Sequence, residues 1–379
     1  MRDGNPGMYT LNLSRLIVVA ALAACLAGCS DGNETKGESA DSETQAQKEQ
    51  LDTYLFEPVR AAAACISVLE KPDAKRVLLI GDDAMKVRGV FEAAGMKCQT
   101  DLSGKVDIAF VDCSSMSAQS RDKVFSCISA NGVFAWLMDV RGVSAEAFRE
   151  RIGSFGRDEA HLWMPGENRW LITGRKEPRM IKLSAMLEFF SADGMFDVLS
   201  RYRLGGVAEL FSSYVGTVSE IMPAFAAGDL SAEVKPEFFL SREVPPLRWV
   251  SAEDVDKDVS NRFFADIRSM QMMRRLAVKG NMAAMQGDEN TSVDHWSRAL
   301  LRNPGELFVR ERIDRLERNA RGFLAVKKFL QAMKCYETII KIDPKDIGAL
   351  HNFGQCLRNV GRVDIAEKIL KRVEELKRR

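Results

Sequence analysis

Cys29, the last residue of Leu26-Ala27-Gly28-Cys29, is the thiol in this chain with the most definite chemistry. An apolar run opened by Arg15 spans Leu16 to Leu26 and ends in small residues, the layout of a cleavable export signal. Cleavage there would make Cys29 the first mature residue. Of the eight cysteines, Cys25 leaves with the signal, and Cys65, Cys98, Cys113, Cys127, Cys335 and Cys356 lie scattered with no CxxC pair. With only three histidines besides, no metal site is expected. Most of these thiols sit in apolar runs such as VFSCI and read as free, buried, small hydrophobes. Cys113 adjoins Asp112, and a neighbouring anion raises a thiol pKa, which makes it a poor nucleophile. His161 has no carboxylate or serine partner visible in the sequence and reads as a packed side chain. Lys and Arg number 54 against 53 Asp and Glu, so no global field favours nucleic acid or an acidic partner.

The segment delivering Cys29 resembles a bacterial lipoprotein signal peptide, residues 1–28. Leu16 to Cys29 is shorter than the ~20 apolar residues a spanning helix needs, and it stops at Ser30-Asp31-Gly32-Asn33-Glu34. The resemblance implies acyl lipid such as palmitate on Cys29, each chain contributing ~0.8 kcal/mol per buried CH₂, in place of a span as the membrane anchor. Ser30 is not acidic, and by the enteric sorting rule this implies a lipid-anchored envelope protein on the outer membrane, facing the periplasm. Residues 29–50 carry no large apolar side chain and are expected to form a disordered, solvated tether. Folded material begins near Leu51, and the remaining length suggests two domains.

Within a domain bounded at residues 51–178, residues 76–175 read as alternating strands and helices. RVLLIG (76–81) is a strand, 82–95 an amphipathic helix capped by Asp82 or Asp83, and MKCQT a second strand. KVDIAFVD (105–112) is a buried strand, 114–129 a helix, and NGVFAWLMDV (131–140) a strand entered through an Asn-Gly turn. A helix near Ser144–Ser154 precedes HLWMPGENRWLITG, expected as an antiparallel hairpin at the sheet edge. This order predicts a doubly wound, mostly parallel α/β sheet. Residues 179–272 read as a helical extension, with Phe189, Phe190, Phe196, Tyr202 and Phe211 filling a core. Its last part is a structured linker with Ser251 or Asp254 as a cap.

A 34-residue period marks the carboxy-terminal third, 273–379, and resembles the tetratricopeptide pattern. Two units stand in register. Residues 313–346 carry Leu316, Ala320, Phe323, Ala332, Tyr336, Ile339 and Pro344. Residues 347–379 carry Leu350, Phe353, Gly354, Leu357, Gly361, Ala366, Leu370 and Val373. An earlier unit, 273–306, keeps Gly280, Gly287, Trp296, Ala299 and Pro304, and six residues separate it from the next. Each unit is expected to be an antiparallel helix pair, giving an all-α array whose small residues admit the second helix. The resemblance implies a concave face for a protein or peptide partner. The alternative is that the array only packs against its own amino-terminal neighbour.

VLLIG, VDIAFVDCSS, ISANGVFAWLMDV and LWMPGENRWLITGRKEP, in that order, resemble the strand motifs of spermidine synthase and its relatives, which share the class I methyltransferase fold. The resemblance covers Arg76 to about Pro178, with a weaker match through EVKPEFFLSREVPP. It implies a site for a sulfonium nucleotide, with Gly81 in the Gly-rich turn whose backbone approaches the ligand and Asp101 gripping ribose hydroxyls. It also implies that Asp112, in the place of the family's Asp-x-x-Asp-Pro, serves as general base. The departures are large. Only Gly81 survives of the Gly-rich turn, the second Asp and the Pro after Asp112 are lost, and residues 82–105 leave no room for a third strand. Asp101 also reads as an exposed turn residue, and Asp112 as a helix cap. The sheet is therefore expected to be a truncated, methyltransferase-like one. Two classes of function follow. The first is a non-catalytic, cofactor-free protein-interaction scaffold on the membrane. The second is an active aminopropyl- or methyltransferase using S-adenosylmethionine or its decarboxylated form.

Overall fold

The computed structural model describes residues 57–81, 83–113, 116–153, 160–175, 177, 180–226, 229–237 and 247–378. The signal, the tether, Cys29 and Asp82 lie outside these. Among the described residues, no helix is long and apolar enough to cross a membrane. The chain divides into two compact units. One is Thr53–Asp288 with Arg298–Glu311, and the other comprises Glu289–Ser297 and Arg312–Arg379.

The first unit is a mixed α/β sheet. In chain order it carries α1 (Glu57–Leu69), β1 (Arg76–Ile80), a 3₁₀ turn (Ala84–Val87), α2 (Arg88–Ala93), β2 (Lys97–Gln99), β3 (Val106–Asp112), α3 (Ala118–Cys127), β4 (Ile128–Asp139), α4 (Ala145–Gly153), β5 (His161–Trp163) and β6 (Arg169–Arg175). Then follow β7 (Ile181–Lys182), α5 (Leu183–Ser191), α6 (Asp193–Arg201), α7 (Val207–Ser212), β8 (Tyr214–Thr217), α8 (Val218–Ala226), β9 (Val250–Ser251) and the long α9 (Lys257–Met285). Seven strands are ordered β2-β1-β3-β4-β6-β5-β8, and β7 pairs with β9 in a separate two-stranded ladder. The β1, β2, β3 and β4 pairings are parallel, whereas β6, β5 and β8 join antiparallel.

Both faces of the sheet are covered, which is why its strands are continuous apolar runs rather than alternating ones. On one face Val77, Leu79, Ile108, Phe110, Val133 and Leu137 join a core with α1, where every residue from Val59 to Leu69 is buried. On the other face Phe134 stacks on Phe125 of α3, and Trp170 meets Phe148 of α4 edge-on. Alanines at 61–64 keep α1 thin enough to lie close, and each large side chain buried there contributes about 1.5–3 kcal/mol.

Several expectations change in detail. The Asn131-Gly132 pair lies inside β4, not before it. The ladder with β3 slips between Val106 and Ile108, whose partners are Ile128 and Val133, so Asn-Gly sits in a bulge. The β5–β6 hairpin is not the edge, because β8 adds beyond it, from a stretch expected to be wholly helical. A short strand between two helices has too few residues to show a period. Phe190 and Phe211 are buried, and Phe189 and Tyr202 partly so, but Phe196 is 65% exposed. Helix α9 is capped by Asp256, which accepts from Asp258 N–H, while Asp254 bonds Ser184.

The remaining helices are α10 (Glu289–Arg302), α11 (Leu307–Ala325), α12 (Phe329–Ile342), α13 (Ile347–Asn359) and α14 (Val363–Lys377), a stacked all-α region. Three of the turns between paired helices share one cap. The N–H of Asp288, Lys328 and Arg362 donates to the carbonyl of Ala283, Phe323 and Leu357, at 2.9, 2.8 and 2.8 Å. The preceding residues, Gly287, Lys327 and Gly361, all take the left-handed conformation of a Schellman motif. Ala320 is fully buried, and a Cβ on Gly354 would lie 3.0 Å from Leu370, so the small residues do admit their neighbours closely. The six extra residues before Ile313 form no loop: α11 has 19 residues against 13 in α13, so they lengthen the helix. Nor does a helix begin at Met273, which lies inside α9.

Candidate functional site

In the order β2-β1-β3, the chain leaves β1 in one direction for β2 and returns across it to β3. The crevice at the carboxyl ends of β1 and β3 is thus a topological switch point, where open α/β sheets usually bind ligands. Gly81 follows β1 and Asp112 ends β3, so the structure brings these two sequence candidates together. Gly81 has φ 101°, and a Cβ there would stand 2.1 Å from the Asp112 carbonyl oxygen. The two backbones thus touch where only glycine fits.

Side chains fill what the backbones leave. Arg60, projecting from α1 and 1% exposed, donates through Nε to Asp112 Oδ2 at 2.7 Å, and its Nη2 pairs with Asp83. Arg169, at the start of β6, donates through Nη1 to Asp112 Oδ1 at 2.8 Å. Lys86 closes on Asp83 at one end. At the other end Arg169 Nε stands 3.8 Å from Asp139, and Arg141 Nε straddles the two Asp139 oxygens at 3.1 and 3.0 Å. The result is an alternating chain of ions, Lys86, Asp83, Arg60, Asp112, Arg169, Asp139 and Arg141, along the carboxyl edge of β1, β3 and β4.

Its centre is dry and its ends are wet: the Asp112 side chain is 1% exposed and that of Arg141 47%. Partial burial works to raise the Asp83 carboxyl, but the Lys86 hydrogen bond and the Arg60 charge hold it below its ordinary value. Asp139 is likewise held down, against its burial, by Arg141 and Arg169. Both oxygens of Asp112 accept from guanidinium groups, and this arrangement holds the carboxylate in place. Helix α3 is capped by Ser117, which accepts from Ser120 N–H at 3.1 Å, and not by Asp112.

Asp101 takes no part in this chain. It is exposed after β2, and its Oδ1 accepts from Ser103 N–H at 3.2 Å and from the Ser103 hydroxyl, bonds that lower its pKa. Arg60, Asp139 and Arg169 escaped the sequence reading, and Asp83, expected as a helix cap, makes no side-chain cap bond and spends its carboxylate on Arg60 and Lys86 instead. Arg60 had left a signal, as the one cation inside the apolar helix EPVRAAAACISVL, where a buried charge demands a partner.

A second buried cluster corrects the reading of His161 as lacking a carboxylate. Its Nδ1 lies 2.8 Å from Glu70 Oε1, a residue 91 positions away that no local pattern connects to it. Glu70 also accepts from Thr173 Oγ1 at 3.0 Å and pairs with Arg175. Burial pushes the Glu70 carboxyl up, but Arg175 and His161 outweigh it and bring it down to about 2. The His161 ring stacks on Trp249, with centroids 4.8 Å apart, and meets Trp163 and Tyr214 edge-on. The side chains of His161 and Glu70 are 5% and 0% exposed, so the pair is a core feature.

All six cysteines of the folded part are free thiols. Burial pushes Cys65 up to about 12 and Cys356 up to about 11, which keeps both protonated and unreactive. Among the described residues, no group of three or more His, Cys, Asp or Glu is placed to hold a metal ion. Compared with known proteins, the sequence matches no family profile and aligns significantly with no curated protein.

Proposed function

We propose that the chain is a lipid-anchored envelope scaffold in which a degenerate methyltransferase-like body and a short tetratricopeptide array offer surfaces to another protein. The observation that carries this reading is the plugged switch point, where Arg60 and Arg169 occupy both oxygens of Asp112 and Gly81 meets its backbone. The strand order supports the methyltransferase likeness. The sheet runs β2-β1-β3-β4-β6-β5-β8, with β2 at its edge and no further strand beyond it among the described residues, in keeping with a sheet of that kind shortened by its third strand. The lost strand is the one whose loop walls the adenine pocket in relatives. Repeating caps at Asp288, Lys328 and Arg362 support the tetratricopeptide reading, and with it a concave face for a peptide or helix. Anchoring through lipid on Cys29 rests on the sequence alone.

The alternative, a transferase with Asp112 as base and Gly81 and Asp101 at the nucleotide, draws support from Gly81 and Asp112 standing side by side at adjacent strand ends. Calorimetric titration with S-adenosylmethionine, decarboxylated S-adenosylmethionine and methylthioadenosine decides between the two. We expect no heat of binding for any of them. Micromolar binding of one would replace the scaffold reading with the transferase.

A further inference from the structure

Away from the switch point, three ionisable side chains meet in a dry site where the turn between α10 and α11 rests on α7 and α9. Glu209 of α7 is 1% exposed, Glu306 of the turn 0%, and Arg274 of α9 3%. Arg274 Nε lies 3.3 Å from Glu306 Oε1, and its Nη1 donates to the Met164 carbonyl at 3.1 Å. Asn303 Nδ2 donates to Glu306 Oε2 at 3.2 Å. Glu209 Oε2 accepts from Gly205 N–H, while its Oε1 is buried without a hydrogen-bond partner of sound geometry.

The carboxylate of Glu209 is clasped between two glycine backbones. A Cβ on Gly205 would lie 2.1 Å from Glu209 Oε2, and one on Gly305 would lie 2.6 Å from the same atom. Gly205 leads into α7, and Gly305 belongs to the turn, so this one carboxyl group sits at the seam between them. In the equivalent turn before α13, Asp346 caps the helix by accepting from Ala349 N–H at 2.8 Å. Glu306 holds the matching place before α11 but accepts from Arg274 and Asn303 as well.

We propose that Glu209 and Glu306 form a proton-gated latch. While Glu209 carries a proton it neighbours Glu306 as a neutral acid, one arginine balances one carboxylate, and the turn stays seated on α7 and α9. When Glu209 loses that proton, two buried carboxylates face a single arginine, and the segment Arg298–Glu311 loosens.

The surrounding charges leave this balance to the three residues named. Helix α1, packed on α7, carries Glu57 at its far, first turn and Arg60, and Glu70 directly follows it; Arg60 is engaged with Asp112 and Asp83, and Glu70 with His161 and Arg175. Helix α5, also against α7, carries Glu188, which is exposed. In the first turn of α11, Arg310 donates to the Pro304 carbonyl at 2.8 Å, and Glu311 accepts from Glu167 N–H at 2.9 Å. Burial and the Glu306 charge push the Glu209 carboxyl up to about 7, against the pull of Arg274, Gly205 and Asn303.

The test is amide hydrogen exchange in the full chain, corrected for intrinsic rates, at the backbone of Gly305 to Arg310. From about pH 6 to about pH 8 we expect protection there to fall about tenfold, and Glu209→Gln to hold it high and flat. Protection that does not change with pH in the unmodified protein overturns the latch, and so does an unaltered pH dependence in Glu209→Gln. Should that variant fold poorly, infrared spectroscopy of the unmodified protein serves instead. A protonated-carboxyl band present near pH 6 and lost by pH 8 supports the latch, and its absence near pH 6 overturns it.

Discussion

Asp112 shows how a residue's meaning depends on what reaches it. Its place at the end of a buried strand suits a general base, yet two guanidinium groups take its oxygens. A buried ion pair adds little net stability, but breaking one leaves a charge stranded in a dry site. Arg60→Leu is therefore expected to destabilise the α/β unit by about 3–5 kcal/mol, read from chemical denaturation. The double variant Arg60→Leu, Asp112→Leu is expected to recover part of that loss. Simple additivity of the two single costs would show that the pair is not coupled. The site was half legible beforehand. Gly81 and Asp112 stood at strand ends, which local patterns reveal, whereas Arg60 and Arg169 come from 52 positions before and 57 after Asp112. No periodicity reports such distances.

At the scale of elements, local rules carried furthest in the helical region. The same Schellman cap closes three turns, and two of them place glycine at the left-handed position where Lys327 stands in the third, with φ 57°. A lysine pays for that conformation in strain that glycine avoids. Lys327→Gly is expected to raise stability by roughly 0.5–1 kcal/mol, seen as a higher denaturation midpoint with unchanged slope. A lower midpoint would mean that the Lys327 side chain contributes more than its backbone costs. In the sheet, by contrast, short elements defeated local reading. β8 has four residues and β7 and β9 two each, and only pairing with a neighbour makes any of them a strand.

For the molecule as a whole, the two strongly shifted carboxyls act in opposite directions with pH. Glu70 falls from an ordinary value near 4.5 to about 2 on folding, so its contribution is present above 4.5 and lost as pH drops through 2. Glu209 rises to about 7, so its contribution is present below 4.5 and lost as pH climbs through 7. Each is worth on the order of 3 kcal/mol across its window. Denaturant midpoints measured across pH should therefore peak near 4.5 and decline on both sides. A midpoint still rising between pH 5 and 7 would contradict the Glu209 part. Glu209→Gln should flatten that upper decline alone.

The sequence by itself determined the order of strands and helices from Arg76 to Arg175 and the 34-residue rhythm of the array. Each of these is written in spacing, because apolar side chains must recur with the period of the element that buries them. Only the tertiary structure decided that β8 extends the sheet, that Glu70 partners His161, and that Arg60 closes the crevice over Asp112. Those outcomes depend on which distant charges share a dry space. Burial makes an unpartnered ion so costly that the fold is selected for completing such pairs, while the chain order of their members remains free.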